Sequence, residues 1–251
     1  MFNRREILTL AGLAASGLSD QARAENGAKP KFKAIAFDGF PITDPRPVFT
    51  KLEEMFPNKG SELANTWRSR LFEYTWLRTL GQRYADFWQV TEESLVFAAK
   101  AHGIDLSAPA RDQLMRSWLG LKAWPDVAPA LKQLKDAGIR MAFLANLTEK
   151  MLDAVVRNSA LEGFLEPHLS TDKVKAFKPD PRAYQMGVEA FGLKKEEVLF
   201  AAFAGWDAAG AKWFGYPTFW VNRMNAPVEE LGAAPDGAGS GLADLVKFVL
   251  G

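Results

Sequence analysis

A chain of 251 residues, 48% of them apolar, can bury a full core, and its length suits one medium domain carrying an insertion better than two independent domains. Its 31 basic and 30 acidic residues are interspersed and leave a net charge of +1, which gives nucleic acid or an anionic membrane no electrostatic hold. There is no cysteine, so disulfides, thiolate metal sites and cysteine nucleophiles are excluded; with only His102 and His168 as imidazoles, chemistry falls to carboxylates, Lys, Arg or hydroxyls.

Residues 1–24 read as an address. Arg4-Arg5 precede an apolar stretch, Leu8 to Leu18, that is too short to span a bilayer, and Ala22-Arg23-Ala24 forms a small-x-small cleavage site. That order predicts a twin-arginine signal peptide and a periplasmic protein with no membrane attachment after cleavage; a frayed amphipathic helix is the competing reading. A polar linker, Glu25 to Pro30, follows. Phe32 to Asp38 is a short apolar run ending in a carboxylate, the pattern of a buried parallel strand, and Gly39-Phe40-Pro41 then turns the chain.

From Pro47 to about Leu121 the apolar spacing is helical, as in Trp67, Leu71, Tyr74, Leu77 and Leu80, and no strand is evident. Beyond Trp124 strands and helices alternate. The pattern predicts a helix from Asp126 to Ala137 stopped by Gly138, a strand from Ile139 to Asn146 and a helix from about Glu149 to Ala160. A strand near Leu169, a helix through Ala183 to Phe191, a strand from Val198 to Ala204, a helix from Asp207 to Phe214 and a strand from Thr218 to Asn222 complete it. Gly232 to Gly239 reads as a surface loop before a short terminal helix.

This alternation predicts an α/β fold, a doubly wound parallel sheet flanked by helices and interrupted after its first strand by an all-helical insertion. The boundaries expected are 25–48 and 120–251 for the core and 49–119 for the helical cap. In such sheets the ligand crevice lies beyond the carboxyl ends of the strands, where Asp38, Asn146 and Asp207 fall. Taken singly, Asp207 could be a helix cap and Lys178 a solvated loop cation.

Together they say more. Asp38, Asn146, Lys178 within Phe177-Lys178-Pro179-Asp180-Pro181, and Asp207 after Ala204-Gly205-Trp206 resemble the four motifs of the haloacid dehalogenase superfamily. Within the insertion, Trp67-Arg68, the stretch Phe72 to Arg78 and the stretch Arg83 to Glu92 resemble the helical cap of type II L-2-haloacid dehalogenases. The resemblance runs on through Tyr184 and Arg223, and so covers nearly all of the chain after the leader.

It implies a hydrolase of short 2-haloalkanoic acids in which Asp38 displaces halide and forms an ester. Arg68 and Asn146 would cradle the halide, Lys178 would orient Asp38, and Asp207 would position the water that cleaves the ester. Phe40, Phe72, Phe87, Tyr184 and Trp206 match substrate-binding positions, four as pocket walls and Tyr184 as a support for Lys178. The partner implied is a small haloacid, with no cofactor and no metal; homodimer formation is suggested by family habit alone. Phosphatase relatives need a second Asp two residues after the nucleophile to protonate the leaving oxygen, and Phe40 stands there instead.

Departures from the pattern are Phe40-Pro41-Ile42 where a tyrosine, a glycine and a threonine are usual, with Thr43 displaced by one, and Ala145, Ala202 and Ala204 where hydroxyls or an amide are usual. Two other readings therefore stand beside the dehalogenase: a small-carboxylate binding protein on the same fold, and a phosphatase with unconventional metal ligands.

Overall fold

The structure, a computed structural model, describes residues 31–251; the expected leader, residues 1–24, and the linker to Pro30 lie outside the described residues. Six short strands pair in parallel: β1 Ala34–Phe37, β2 Arg140–Ala145, β3 Leu169–Ser170, β4 Val198–Ala202, β5 Thr218–Val221 and β6 Gly237–Gly239, in the order β3-β2-β1-β4-β5-β6. Parallel strands are covered on both faces, and β1, β4 and β5 are buried along their whole length.

The two-residue repeat of a strand sorts these side chains into two layers. Ile35, Phe37, Phe143, Leu199 and Phe219 share a core with Leu131 of α6 Val127–Asp136 and Leu245 of α10 Leu242–Leu250. Ala34, Ala36, Leu144 and Phe200 share the other with Tyr184 of α8 Pro181–Phe191 and Ala208 of α9 Gly205–Phe214. Helices therefore flank both faces, as the alternation of strand and helix predicts.

The insertion is helical throughout: α2 Arg46–Met55, α3 Gly60–Leu80, α4 Phe87–Ala101, α5 Ala108–Ser117 and one 3-10 turn, Trp118–Gly120. Asp86 starts α4 by accepting from the Gln89 N–H at 2.8 Å, and Ser107 starts α5 by accepting from Ala110 at 3.3 Å. The Trp67 indole N–H donates to the Thr91 carbonyl at 2.9 Å and ties α3 to α4. Three contacts dock the insertion on the core near the strand ends. Tyr84 donates to Asp172 at 2.5 Å, and its ring stacks on Phe177 at 4.8 Å; the Phe177 N–H donates to Thr79 at 3.0 Å.

One expectation is refined and one corrected. Gly39-Phe40-Pro41, expected to turn the chain, does so as one helical turn, α1 Gly39–Ile42, which the Asp38 carboxylate caps by accepting from the Phe40 N–H at 3.3 Å. The segment expected as a surface loop ends in β6, whose Gly237, Ala238 and Gly239 pair with Phe219, Trp220 and Val221. Those three residues join the sheet through backbone bonds alone. Asp236 fixes their register by accepting from the Thr218 N–H at 2.7 Å.

Candidate active site

Three charged side chains meet at the carboxyl end of the sheet. Asp38 follows β1 directly, and its N–H still bonds the Ala201 carbonyl of β4 at 3.0 Å, so the sheet itself aims this residue. Asp207 stands in the first turn of α9, where the positive end of the helix favours an anion. Between them the Lys178 ammonium donates to Asp38 Oδ1 at 2.6 Å and to Asp207 Oδ2 at 2.7 Å, with the Phe200 ring centroid 5.1 Å away. Lys178 and Asp207 are each 1% exposed and Asp38 8%. Burial works against the ammonium, but the charges of Asp207 and Asp38 outweigh it and raise the Lys178 pKa. The peptide bond from Lys178 to Pro179 is cis.

Asn146, just past β2, supports Lys178 from the backbone side. Its Oδ1 accepts the Lys178 N–H at 3.1 Å. That bond needs an acceptor, so the amide oxygen is committed to it and the NH₂ is left for the cavity that Asn146 lines.

The Tyr184 hydroxyl bonds Asp207 rather than Lys178. It donates to Asp207 Oδ1 at 2.7 Å, and Tyr184 is absent from the residues that line the cavity. The expected support of Lys178 is thus corrected to support of Asp207, and Tyr184 is no wall of the pocket. Gly210 permits the approach: a Cβ at that position would come within 2.6 Å of the Tyr184 hydroxyl. Burial pushes the Asp207 pKa up to about 6 against the pull of Lys178, and hydrogen bonds from Lys178 and Tyr184 also act to lower it.

Above the trio lies a cavity of about 420 Å³. Arg68, Phe40, Phe72, Phe87 and Trp206 all line it, together with Asp38, Asn146 and Asp207. Phe72 and Trp206 pack at 5.4 Å, and so do Trp76 and Trp206. Arg68 Nη2 donates to Asn65 Oδ1 at 3.1 Å and forms no hydrogen bond or ion pair with Asp38. Sequence reasoning missed Phe49, Trp76, Trp118 and Phe203 as further walls. Trp118 carried a usable signal, a large aromatic where the insertion returns to the core. Among the described residues no group of three or more His, Asp or Glu side chains could hold a metal ion.

A family model described as haloacid dehalogenase-like hydrolase matches residues 9–215. The chain belongs to that family. It is 38% identical over 217 residues to an (S)-2-haloacid dehalogenase of Pseudomonas sp. (strain YL), an overlap of 86% of this chain and 94% of the relative. A crystal structure of an L-2-haloacid dehalogenase is 36% identical and superposes with a TM-score of 0.86 over 88% of this chain and all of the other (100%). The L-2-haloacid dehalogenase from Xanthobacter autotrophicus with chloropropionic acid covalently bound is 31% identical, with a TM-score of 0.80 over 88% of this chain and 99% of that one.

Within this haloacid dehalogenase-like chain the departing positions are apolar ground. Ile42, Ala145 and Ala202 are fully buried, and Ala204 lines the cavity beside Asp207. Thr43 does not replace the missing hydroxyl at the site: it is fully buried, lies outside the cavity lining, and its Oγ1 finds no partner.

Proposed function

We propose that the protein is a hydrolytic dehalogenase that releases halide from 2-haloalkanoic acids through an ester on Asp38. The observation that carries this reading is Asp38, held by a buried lysine at the floor of a largely apolar cavity that Asp207 also lines. An Asp38 oxygen attacks C2, the carbon–halogen bond breaks, and halide departs with the bonding pair while C2 inverts. Water then adds to the Asp38 acyl carbon as Asp207 takes one of its protons, the acyl–oxygen bond to the substrate breaks, and the departing alkoxide, which carries the original Asp38 oxygen, receives that proton from Asp207 to leave as the 2-hydroxy acid. The remaining water proton is lost to solvent from the regenerated Asp38 carboxyl. The Asn146 NH₂ and the Arg68 guanidinium are the donors suited to the departing halide in this water-poor site. Ion chromatography of purified protein with chloroacetate, bromoacetate and each 2-chloropropionate enantiomer tests the reaction; no halide from any of them would overturn it.

Arg68→Ala should depress kcat by on the order of 10²-fold with a smaller change in KM, because charge develops on the halide only in the displacement step. Steady-state kinetics on 2-chloropropionate decide this, and an unchanged kcat would leave Arg68 as a cap-surface cation.

Turnover should rise with pH through about 6, since Asp207 can accept a proton only after losing its own. The Tyr184 hydroxyl donates to the charged form of Asp207 and so lowers its pKa. Tyr184→Phe should therefore move the acid limb of the pH–rate profile to higher pH while leaving the alkaline plateau in place. A limb that stays where it was would remove Asp207 as the titrating base.

The leader reading adds an export route: Arg4-Arg5 and Ala22-Arg23-Ala24 support delivery of the folded protein to the periplasm by the twin-arginine system. Periplasmic recovery of a variant with both arginines replaced by lysine would contradict it.

A further inference from the structure

Lys178 is held by more than its two carboxylates. The backbone N–H groups of Phe177 and Lys178 are consecutive, and core and insertion divide them. Asn146 of the core accepts the Lys178 N–H at 3.1 Å, and Thr79, in the last turn of α3, accepts the Phe177 N–H on its hydroxyl oxygen at 3.0 Å. The Thr79 hydroxyl proton is spent within α3, on the Thr75 carbonyl at 2.9 Å, which leaves the oxygen free to accept. Phe177 is fully buried, so its N–H has no solvent to turn to once that oxygen is removed.

The same stretch is fastened at its other end. Tyr84 donates to Asp172 at 2.5 Å and stacks on Phe177 at 4.8 Å, so the chain from Asp172 to Phe177 runs between two anchors that belong to the insertion. Within it Lys175 takes a left-handed φ of 51°, a backbone conformation that a β-carbon disfavours. The path of this loop is thus imposed by its anchors rather than preferred by its own residues. The end of α3 is braced in turn, because Arg78 Nη1 donates to the Arg83 carbonyl at 2.8 Å.

Neither Thr79 nor Tyr84 is among the residues that line the cavity above Asp38. Thr79 reaches the reacting groups only through the backbone that carries Lys178, whose ammonium stands 2.6 Å from Asp38 and 2.7 Å from Asp207. Resting on the dehalogenase reading, we propose that Thr79 is a positioning residue for that reaction: its hydroxyl oxygen, acting from the insertion through the Phe177 N–H, holds the Lys178 ammonium between Asp38 and Asp207. The insertion therefore sets the lysine as well as walling the cavity.

The test uses three variants of the full protein. Thr79→Val keeps the branched shape and removes the acceptor, Thr79→Ser keeps the acceptor and loses a methyl, and Thr79→Ala repeats the loss of the acceptor so that the readings do not depend on how valine packs. Misplacement of a catalytic group by about 1 Å can cost on the order of 10²-fold, so Thr79→Val and Thr79→Ala should lower kcat for halide release by roughly 10- to 100-fold with KM little changed. Thr79→Ser should restore it.

A second reading separates positioning from lost stability and needs no turnover. Burial raises the Asp207 pKa to about 6; of the groups that face this carboxyl, Lys178 pulls it down most, Asp38 pushes it up and Tyr184 pulls it down. A lysine that has slipped pulls less. Carboxyl-carbon NMR, with the signal assigned by Asp207→Asn, should therefore show Asp207 titrating at higher pH in Thr79→Val and Thr79→Ala and at the parental pH in Thr79→Ser.

Halide release and Asp207 titration both unchanged in Thr79→Val and Thr79→Ala would overturn the proposal, whatever their melting temperatures, and leave the dehalogenase reading intact. Slower variants in which Asp207 titrates as in the parent would overturn it too, as would a Thr79→Ser impaired as much as Thr79→Val. The expected titration shifts in a protein that releases no halide from any acid have the converse meaning: the Thr79 anchor stands and the dehalogenase reading falls.

Discussion

Asp38→Asn is expected to lower halide release by on the order of 10⁴- to 10⁶-fold, the scale on which hydrolases lose turnover when one member of the catalytic set is removed. An amide matches the carboxylate in size but is a poor nucleophile, so the displacement has no attacking atom. The fold should survive: Lys178 keeps its 2.7 Å ion pair with Asp207, and the one amide oxygen can still accept from either the ammonium or the Phe40 N–H, which the two carboxylate oxygens of Asp38 serve separately. Circular dichroism should show a native spectrum beside the lost activity. Residual turnover within tenfold of the parent protein (~1.4 kcal/mol of barrier) would mean that Asp38 is not the group that attacks carbon.

Lys178→Met should have the largest effect on stability. It removes the one cation between two carboxylates, leaving Asp38 and Asp207 buried and facing each other without compensation. Breaking a buried pair from one side costs about 3–5 kcal/mol. The pH dependence has a definite sign. Asp207 already sits above its ordinary 3.8, at about 6, so the native state takes up its proton before the unfolded chain does and the native protein loses stability as pH rises between those values. Without Lys178 the pKa of Asp207 rises further, because the pull that lowers it is gone. The deficit of the variant should be full at pH 8 and smaller at pH 5, where a protonated Asp207 no longer repels Asp38. Urea unfolding at the two pH values measures it, and a deficit equal at both would show that the carboxylates are not what the lysine compensates.

Much of this architecture is legible in the sequence because the signals are covalent neighbours. Phe37-Asp38, Ala145-Asn146 and the strand before Ala204-Gly205-Trp206-Asp207 each place a polar group at the end of an apolar run, and a parallel sheet gathers such ends along one edge. Lys178 is different. Nothing in Phe177-Lys178-Pro179 says that its ammonium reaches an aspartate; the resemblance to a known family implies only the contact with Asp38, and the second bond, to Asp207, is a finding of the structure. Tyr184 went to the wrong partner for the same reason: which oxygen a buried hydroxyl meets depends on the close approach that Gly210 allows, a property of two packed helices rather than of either sequence. The β6 strand was invisible because Gly237 and Gly239 carry no side chains to show a period, and its pairing rests on backbone bonds to β5. The aromatic wall around Trp118 was hidden because rings at helical spacing read as ordinary packing, and only the assembled cavity separates the two.

The central claim is that a carboxylate oxygen of Asp38 attacks carbon and that water cleaves the resulting ester. A single turnover in H₂¹⁸O, with enzyme in excess over 2-chloropropionate, tests it most directly. Covalent catalysis places unlabelled oxygen in the hydroxy acid and ¹⁸O in the peptide that contains Asp38, read by mass spectrometry. Label in the hydroxy acid, with an unlabelled Asp38 peptide, would mean that water attacks the substrate directly and would contradict it.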